Sequence, residues 1–112
     1  MISQYDFGTI CINGTWYQHD LRISDGRVLP DWWRKSGHAC EMEDVADILA
    51  HGPDILILGQ GKPGMMQATR ALKQYLQQQD IVLIQQPTMD AVQTFNDLYG
   101  RKKVAAGFHL TC

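Results

Sequence analysis

The spacing of hydrophobic positions changes near residue 42, which divides the chain into a β-rich first part and an alternating second part. In the first part, Asn13-Gly14 separates two runs of strand-forming residues, 7–12 and 15–23. An Asn-Gly pair between such runs is the strongest short-range indication of a hairpin, because both residues accept the positive φ of a type I′ turn. The pattern therefore predicts an N-terminal β-hairpin.

Strand and helix patterns alternate in the second part. Apolar residues at helical spacing begin at Met42 and stop at Gly52-Pro53, a pair that ends helices. Continuous apolar runs at 55–58 and 81–84 are typical of strands covered on both faces. The remaining predicted elements are a helix that begins at Met65, a helix with Thr88 as its N-cap, and a last strand over residues 104–111.

The order of these elements predicts the fold class. Alternating strands and helices favour an α/β fold with right-handed crossovers. We expect one domain over residues 1–112, with a mostly parallel central sheet and the N-terminal β-hairpin as an addition that covers part of it. A chain of this length buries about two-thirds of its surface on folding, so its core needs neither disulfides nor a metal.

Composition narrows the range of partners. The 112 residues carry a net charge of −2, so there is no basic field to hold a nucleic-acid backbone. No apolar run approaches the ~20 residues of a membrane span, and the first residues lack the pattern of a signal peptide. The three cysteines, Cys11, Cys40 and Cys112, show no C-x-x-C spacing, which favours reduced thiols. We therefore expect a cytoplasmic protein with neither nucleic-acid nor membrane partners.

A G-x-G-x-x-G motif, Gly59-Gln60-Gly61-Lys62-Pro63-Gly64, stands between the 55–58 strand and the helix predicted from Met65. Glycines let a backbone approach an anion, and N–H groups at a helix N-terminus point toward it. The next strand ends in Gln85-Gln86-Pro87, with no acid for a ribose hydroxyl, so we expect no dinucleotide and no cofactor. A cleft for a small anion or polar ligand and a purely structural turn remain as alternatives. The candidate ligand-binding residues are Gly59, Gln60, Gly61, Gly64, Met65 and Thr88.

Histidine and cysteine residues supply the candidates for catalysis. The four histidines, His19, His38, His51 and His109, show no H-x-x-x-H or H-E-x-x-H spacing, so we predict no metal site. Cys40 stands just before the helix predicted from Met42, whose N-terminus would favour a thiolate. The alternative function is therefore an enzyme that acts on a small anionic substrate through Cys40 and His38, or through His109. Alternatively, His109 is a structural residue whose ring forms a hydrogen bond with a buried carbonyl.

The adjacent tryptophans Trp32 and Trp33 mark an irregular loop between the two parts of the chain. Adjacent residues of an extended segment point in opposite directions. We therefore expect one indole to anchor the loop in the core and the other to be partly exposed. An exposed indole makes this loop the candidate contact of a homo-oligomeric scaffold.

Motifs along nearly the whole chain resemble those of one protein family. They are Tyr17 and Leu21, Asp31-Trp32-Trp33-Arg34, Glu43-Asp44, Ile55 to Gly61, Thr88 with Ala91-Val92, Phe95 to Leu98, and the ending Val104 to Cys112. The family is domain of unknown function 498. The ending is similar to that of the subgroup with an animal adipogenesis-associated member and small archaeal and bacterial relatives. Another branch contains an assembly factor for mitochondrial respiratory complex I.

This resemblance implies a three-layer fold around a mixed central sheet, and it implies no established reaction. Together with the residues, it favours a small, non-catalytic binding or assembly-type module. The partner would be another protein or a small polar or anionic ligand, and the glycine motif is the expected ligand cleft.

Overall fold

Ten strands and three helices make up the computed structural model, which describes residues 1–112. The strands are β1 (Ile2–Asp6), β2 (Thr9–Ile12), β3 (Thr15–Tyr17), β4 (Leu21–Ser24), β5 (Arg27–Leu29), β6 (Ala39–Cys40), β7 (Ile55–Gly59), β8 (Gln67–Ala68), β9 (Val82–Gln86) and β10 (Val104–Phe108). The helices are α1 (Met42–Leu49), α2 (Arg70–Gln78) and α3 (Thr88–Leu98).

The central sheet has five strands in the order β5-β4-β10-β7-β9. β7 pairs in parallel with β10 and β9, whereas β4 pairs antiparallel with β10 and β5. The α/β class is therefore confirmed, but the expectation of a mostly parallel sheet is wrong. A tight turn at Asp25-Gly26 joins β4 to β5, and so short a turn can join only antiparallel strands. The sheet is mixed because this second hairpin extends it.

The predicted hairpin at Asn13-Gly14 is confirmed, and it belongs to a separate three-stranded sheet in the order β1-β2-β3. Asn13 and Gly14 adopt φ angles of 50° and 84°, and β2 pairs antiparallel with β3 across the turn. The second run does not continue as one strand, since β3 ends at Tyr17 and the chain enters the central sheet at Leu21. The first part of the chain therefore contributes to three sheets, since β6 also precedes residue 42.

The first helix begins where the sequence predicts, and the second does not. α1 begins at Met42. α2 begins at Arg70, so the prediction of a helix from Met65 is wrong in its start. β8 pairs with β6 in the intervening segment, which requires extended backbone there. Thr69 then caps α2 by accepting the N–H of Leu72 over 3.3 Å.

The last two strands differ from their predictions in burial and in length. The apolar run at 81–84 lies largely in β9, which is an edge of the central sheet. The prediction of a strand covered on both faces is wrong here, since Val82 is 56% exposed. β10 ends at Phe108, before the predicted end, because the N–H of Leu110 donates to the Asp20 side chain instead of a neighbouring strand.

Two apolar clusters lie on opposite faces of the central sheet, because successive residues of β7 point to opposite sides. Ile55 and Ile57 join the cluster that packs against α3 and the β1-β2-β3 sheet. Leu56 and Leu58 join the cluster formed with α1 and α2. The predicted division into three layers follows from this arrangement. No helix in the structure has the length and apolar character needed to cross a membrane.

Candidate functional site

The glycine motif forms a turn that is fastened to the start of α3. The N–H of Gly61 donates to the hydroxyl of Thr88 over 2.8 Å, and the N–H of Thr88 donates to the carbonyl of Gly61 over 3.1 Å. The same hydroxyl donates to the carbonyl of His109 and so joins the turn to the last segment of the chain. The predicted N-cap role of Thr88 is wrong, since Pro87 occupies the N-cap position of α3.

Two glycines of the motif are required by close packing. A β-carbon on Gly61 would lie 2.2 Å from the carbonyl oxygen of Thr111, and the φ of Gly61 is +97°. A β-carbon on Gly59 would lie 2.8 Å from the ring of Phe108. These glycines therefore let groups of the protein itself approach the backbone, which is what a structural turn requires.

The hydrogen bonds of the turn determine which amides remain for a ligand. The N–H groups of Gln60 and Lys62 donate to backbone carbonyls, and that of Gly61 donates to a side chain. Those of Gly64 and Met65 have no acceptor within the protein. Met65 is exposed, and it is not the first residue of a helix. Anion binding at the turn stays a prediction, and it now depends on these last two amides.

Cys40, the candidate nucleophile, lies in β6 with its side chain fully buried. Burial raises the pKa of the Cys40 thiol to about 12, and the carboxylate of Asp44 adds to the shift. The positive charges of Arg34 and Arg22 oppose the shift without reversing it. Burial therefore opposes a thiolate at Cys40 more strongly than the helix that follows favours one. His38 is exposed on the preceding loop, so the two residues do not form a buried pair.

His109 is the centre of a buried polar cluster that also contains Asp20 and Arg34. Nδ1 of His109 donates to a carboxylate oxygen of Asp20 over 2.7 Å, because that oxygen only accepts. Nη2 of Arg34 lies 3.2 Å from the same Nδ1. Arg34 donates to the same carboxylate over 2.9 Å and to the carbonyl of Gly37. The other carboxylate oxygen accepts the N–H of Leu110 over 2.8 Å. The hydrogen-bond partner of His109 is therefore a carboxylate, whereas the sequence suggests a buried carbonyl.

The cluster stabilises the ionised form of Asp20. Burial disfavours the charged carboxylate and is the largest single influence on the pKa of Asp20, which it raises. Hydrogen bonds from His109 and from the N–H of Leu110, with the nearby charges of His109 and Arg34, outweigh it. The pKa of Asp20 is consequently below its ordinary value. The cluster thus fastens the segment before β4, the loop after β5 and the end of the chain to one another.

Two atoms of the cluster, Nε2 of His109 and Nε of Arg34, are buried without a hydrogen-bond partner. None of the clefts in the structure is lined by either residue. No group of three His, Cys, Asp or Glu side chains lies together as metal ligands would. The cluster therefore has the contacts of a structural anchor.

Trp32 and Trp33 have opposite environments, as the sequence predicts. Trp32 is 7% exposed, and its Nε1 donates to the carbonyl of Asp44 over 3.0 Å. Its ring covers Gly107, where a β-carbon would lie 2.7 Å from the indole. On the Trp32 ring lies the Arg34 guanidinium, with its Cζ 4.5 Å from the ring centroid. Trp33 is 78% exposed. The prediction of one anchoring and one exposed indole is confirmed.

Three clefts lie around the exposed indoles: Trp33 lines two of them, and the second exposed indole, Trp16, lines the third. Their volumes are about 480, 300 and 290 Å³, and Asp31 lines all three. His19 lines two of them, and Glu43 lies in the cleft of about 480 Å³. We name this region, defined by Trp16, His19, Asp31, Trp33 and Glu43, the tryptophan surface.

A larger cleft, of about 590 Å³, lies between the β4-β5 hairpin and the end of α1. It contains an exposed ion pair between His51 and Asp25, with 3.4 Å between Nδ1 and the carboxylate. No aromatic side chain other than His51 lines it, so it offers a ligand fewer apolar contacts than the tryptophan surface does.

The sequence does not identify Asp20 as a partner of His109, and Arg34 stands out only within the motif Asp31-Trp32-Trp33-Arg34. Asp20 lies among the polar residues of the second run, where a carboxylate is ordinary. The only sequence indication is that a histidine in an apolar strand needs a partner when buried. This indication does not identify the partner, because 89 positions separate Asp20 from His109 in the sequence.

Comparisons with known proteins show which family the chain matches and which solved structures share its fold. A sequence model of the family described as "Protein of unknown function (DUF498/DUF598)" matches residues 2–109. No curated protein matches the chain. The chain is similar to the conserved hypothetical protein PH1505 from Pyrococcus horikoshii OT3, with 27% identity, a TM-score of 0.86, and 100% and 99% of the two chains covered.

Two further solved structures have the same fold. The protein MT938 is 26% identical, with a TM-score of 0.79 and with 100% of this chain and 98% of that chain covered. A protein from Bordetella pertussis, described as a Mth938-like domain, is 15% identical, with a TM-score of 0.70 and 97% and 84% covered. At that identity the likeness to the Bordetella pertussis protein concerns the fold alone.

Proposed function

Since the chain belongs to the DUF498/DUF598 family of proteins of unknown function, its role must be inferred from its surface, and we propose that it is a non-catalytic cytoplasmic binding or assembly-type module. The proposed binding region is the tryptophan surface. The proposed partner is a polypeptide segment that carries a lysine or arginine beside an apolar side chain. The observation that carries this proposal is the exposure of Trp33 on a firmly held loop.

The loop holds Trp33 outward because both of its neighbours are buried. Trp32 and Arg34 are 7% and 8% exposed, and the N–H of Trp32 donates to the carbonyl of Asp20 over 2.7 Å. An indole presented by a fixed backbone loses little conformational freedom on binding. Covering about 150 Å² of indole at about 25 cal/mol per Å² contributes about 4 kcal/mol before the costs of association. Trp33 therefore has the character of an interface anchor.

The charge of the cleft beside Trp33 favours a cationic partner. Its lining contains four acidic residues and two basic ones. Asp47 pairs with Arg22, whereas Asp31 and Glu43 form no ion pair within the protein. A lysine or arginine next to an indole also gains from the ring face. The combination favours a basic residue followed closely by an apolar one.

The enzyme alternative has less support. A catalytic thiol must ionise near neutral pH, and the raised pKa of Cys40 opposes this. His109 already donates to Asp20, and it lines no cleft. Neither group therefore combines the reactivity and the access that a small anionic substrate requires.

Selection from a displayed library of random peptides tests the proposal. Peptides that bind the wild-type protein are expected to be enriched in sequences with Lys or Arg beside an apolar residue. The enrichment is expected to disappear with Trp33→Ala, because the anchor is lost. Met89→Ala, which removes an exposed side chain on α3, is the matched control and is expected to leave the enrichment unchanged.

Three outcomes contradict the binding proposal. They are the absence of any enriched sequence, enrichment of acidic sequences, and enrichment that survives Trp33→Ala. Circular dichroism of the variant confirms that the loss of binding does not reflect unfolding. Trp33 is exposed, so we expect the fold of Trp33→Ala to be intact.

A small anion at the glycine turn is a second and separate proposal. The supporting observation is that the N–H groups of Gly64 and Met65 have no acceptor within the protein. Titration with inorganic phosphate, followed by NMR, is expected to shift these two amide resonances with saturation. The Gly61 amide is expected to move little, because it donates to Thr88. Unchanged resonances throughout the turn would remove this second proposal.

A further inference from the structure

We propose that two copies of this chain associate through the free edges of their β9 strands and so join two central sheets across a two-fold axis. Two observations support the proposal. β9 lacks the protection that the other sheet edges have, and its outward peptide groups are complementary to those of a second β9.

β9 differs from every other edge strand in the structure. Natural sheets protect their edges with bulges, charges, prolines or very short strands. The pairing of β1 is bulged between Ile2 and Gln4. β3 and β5 have three residues each, β6 and β8 have two, and Arg27 adds a charge to β5. β9 has five residues in regular register with β7, and it contains no charge, glycine or proline.

The peptide groups of β9 alternate between β7 and the open side. The N–H of Val82 donates to the carbonyl of Asp54, so this residue faces β7. Because the direction alternates along a strand, the N–H and C=O groups of Leu83 and Gln85 face the open side. None of these four groups has a hydrogen-bond partner in the protein.

These free groups fit a second β9 that runs antiparallel to the first. With Ile84 on the two-fold axis, Leu83 lies opposite Gln85 of the partner subunit. Each of the two symmetric pairs then exchanges two N–H···O bonds. An isologous contact of this kind closes with two copies. It also brings the exposed side chain of Val82 against the neighbouring strand.

A second copy is favoured over a charged peptide as the occupant, because β9 is uncharged and its open side is complementary to itself. The contact is independent of the proposed peptide-binding function. β9 and β5 are opposite edges of the central sheet, and the Trp32-Trp33 loop follows β5. The dimer therefore leaves both tryptophan surfaces open.

Sedimentation velocity over a range of protein concentrations tests the proposal. The wild-type protein is expected to reach twice the 12.7 kDa mass of the chain. Val82→Lys is expected to remain a monomer, because it places a charge beside the pairing edge. Val82→Thr, which is β-branched and uncharged, is the control and is expected to dimerise. Trp33→Ala is also expected to dimerise.

Amide hydrogen exchange of the wild-type protein is a second measurement, which does not depend on the folding of a variant. The amides of Leu83 and Gln85 are expected to be protected in concentrated solution and to exchange faster on dilution. The Ile84 amide, which faces β7, is expected to be protected at both concentrations. A wild-type monomer at every concentration, unprotected Leu83 and Gln85 amides, or a dimer that Val82→Lys leaves intact would overturn the proposal.

Discussion

At the scale of single residues, burial determines which polar side chains keep their reactivity. Cys40 precedes a helix, and this position alone would favour its thiolate. Its complete burial has the larger effect and raises the pKa of the thiol to about 12. Cys11 is also buried, whereas Cys112 is exposed. Solvent access therefore separates the exposed Cys112 from the buried Cys11 and Cys40, and the sequence alone does not reveal this difference.

Alkylation with iodoacetamide checks this distinction. We expect Cys112 to be labelled first in the folded protein at pH 8, and Cys40 to be labelled only on unfolding. With a pKa of about 12, the Cys40 thiolate fraction at pH 8 is roughly one in ten thousand. Mass mapping identifies the labelled sites, and labelling in urea is the control in which all three react. Equal rates for Cys40 and Cys112 in the folded protein would contradict the assignment.

At the scale of elements, the glycine turn packs three distant segments of the chain together. Thr88 holds Gly61 through both its N–H and its hydroxyl. The left-handed backbone of Gly61 brings the carbonyl of Thr111 to the place where a β-carbon would be. The turn therefore fastens β7, α3 and the end of the chain to one another.

Two alanine substitutions separate packing from backbone conformation at this turn. Both Gly61 and Gly64 have positive φ, but a β-carbon would lie 2.2 Å from its nearest neighbour at Gly61 and 3.5 Å at Gly64. We expect Gly61→Ala to lower the free energy of unfolding by about 3 kcal/mol and Gly64→Ala by about 1 kcal/mol. Urea denaturation measures both losses. Equal losses would show that the close approach at Gly61 has little effect on stability.

At the scale of the whole molecule, the Asp20, Arg34 and His109 cluster joins the paired ends of β4 and β10 to the loop after β5. Asp20 precedes β4, Arg34 lies in the loop after β5, and His109 follows β10. Removing one member of a buried ionic group leaves the others charged and uncompensated. The cluster should therefore affect global stability and its dependence on pH.

Acid unfolding of Asp20→Asn tests the cluster. Because folding lowers the pKa of Asp20, its carboxylate stabilises the fold above its ordinary value of 3.8. This stabilisation is lost as pH falls through the lowered folded value. We expect Asp20→Asn to cost about 3 kcal/mol at pH 7, where Arg34 loses its carboxylate, and less toward pH 2.

Thermal or urea unfolding between pH 7 and pH 2 measures this difference. Asp97→Asn removes an exposed carboxylate and is the matched control, for which we expect little change at any pH. A cost for Asp20→Asn that stays constant over the whole pH range would contradict the role of its ionised form.

Local residue patterns were sufficient for much of the fold. The Asn13-Gly14 hairpin, the start of α1 at Met42 and the buried β7 all follow from short-range properties of the backbone and from hydrophobic spacing. The start of α2 could not be derived in this way. The segment after Met65 pairs with β6, and this contact joins positions far apart in the sequence.

The candidate sites depended more strongly on distant contacts. The sequence identified two adjacent indoles with different environments, since neighbouring side chains of an extended loop point apart. It did not indicate that Trp33 would be the exposed one, which follows from the packing of Trp32 on Gly107. It left a ligand cleft and a structural turn as alternatives at the glycine motif, and only the structure shows that three N–H groups of the turn have acceptors within the protein.

The sequence by itself determined the α/β class, the single domain with its layers, and the family. These depend on hydrophobic periodicity and on motifs, which are properties of residues close together in the sequence. Only the tertiary structure decided the strand order, the edge position of β9, and the partners of His109 and Cys40. The physical reason is that burial, hydrogen bonding and pKa depend on groups that folding brings together from distant parts of the chain.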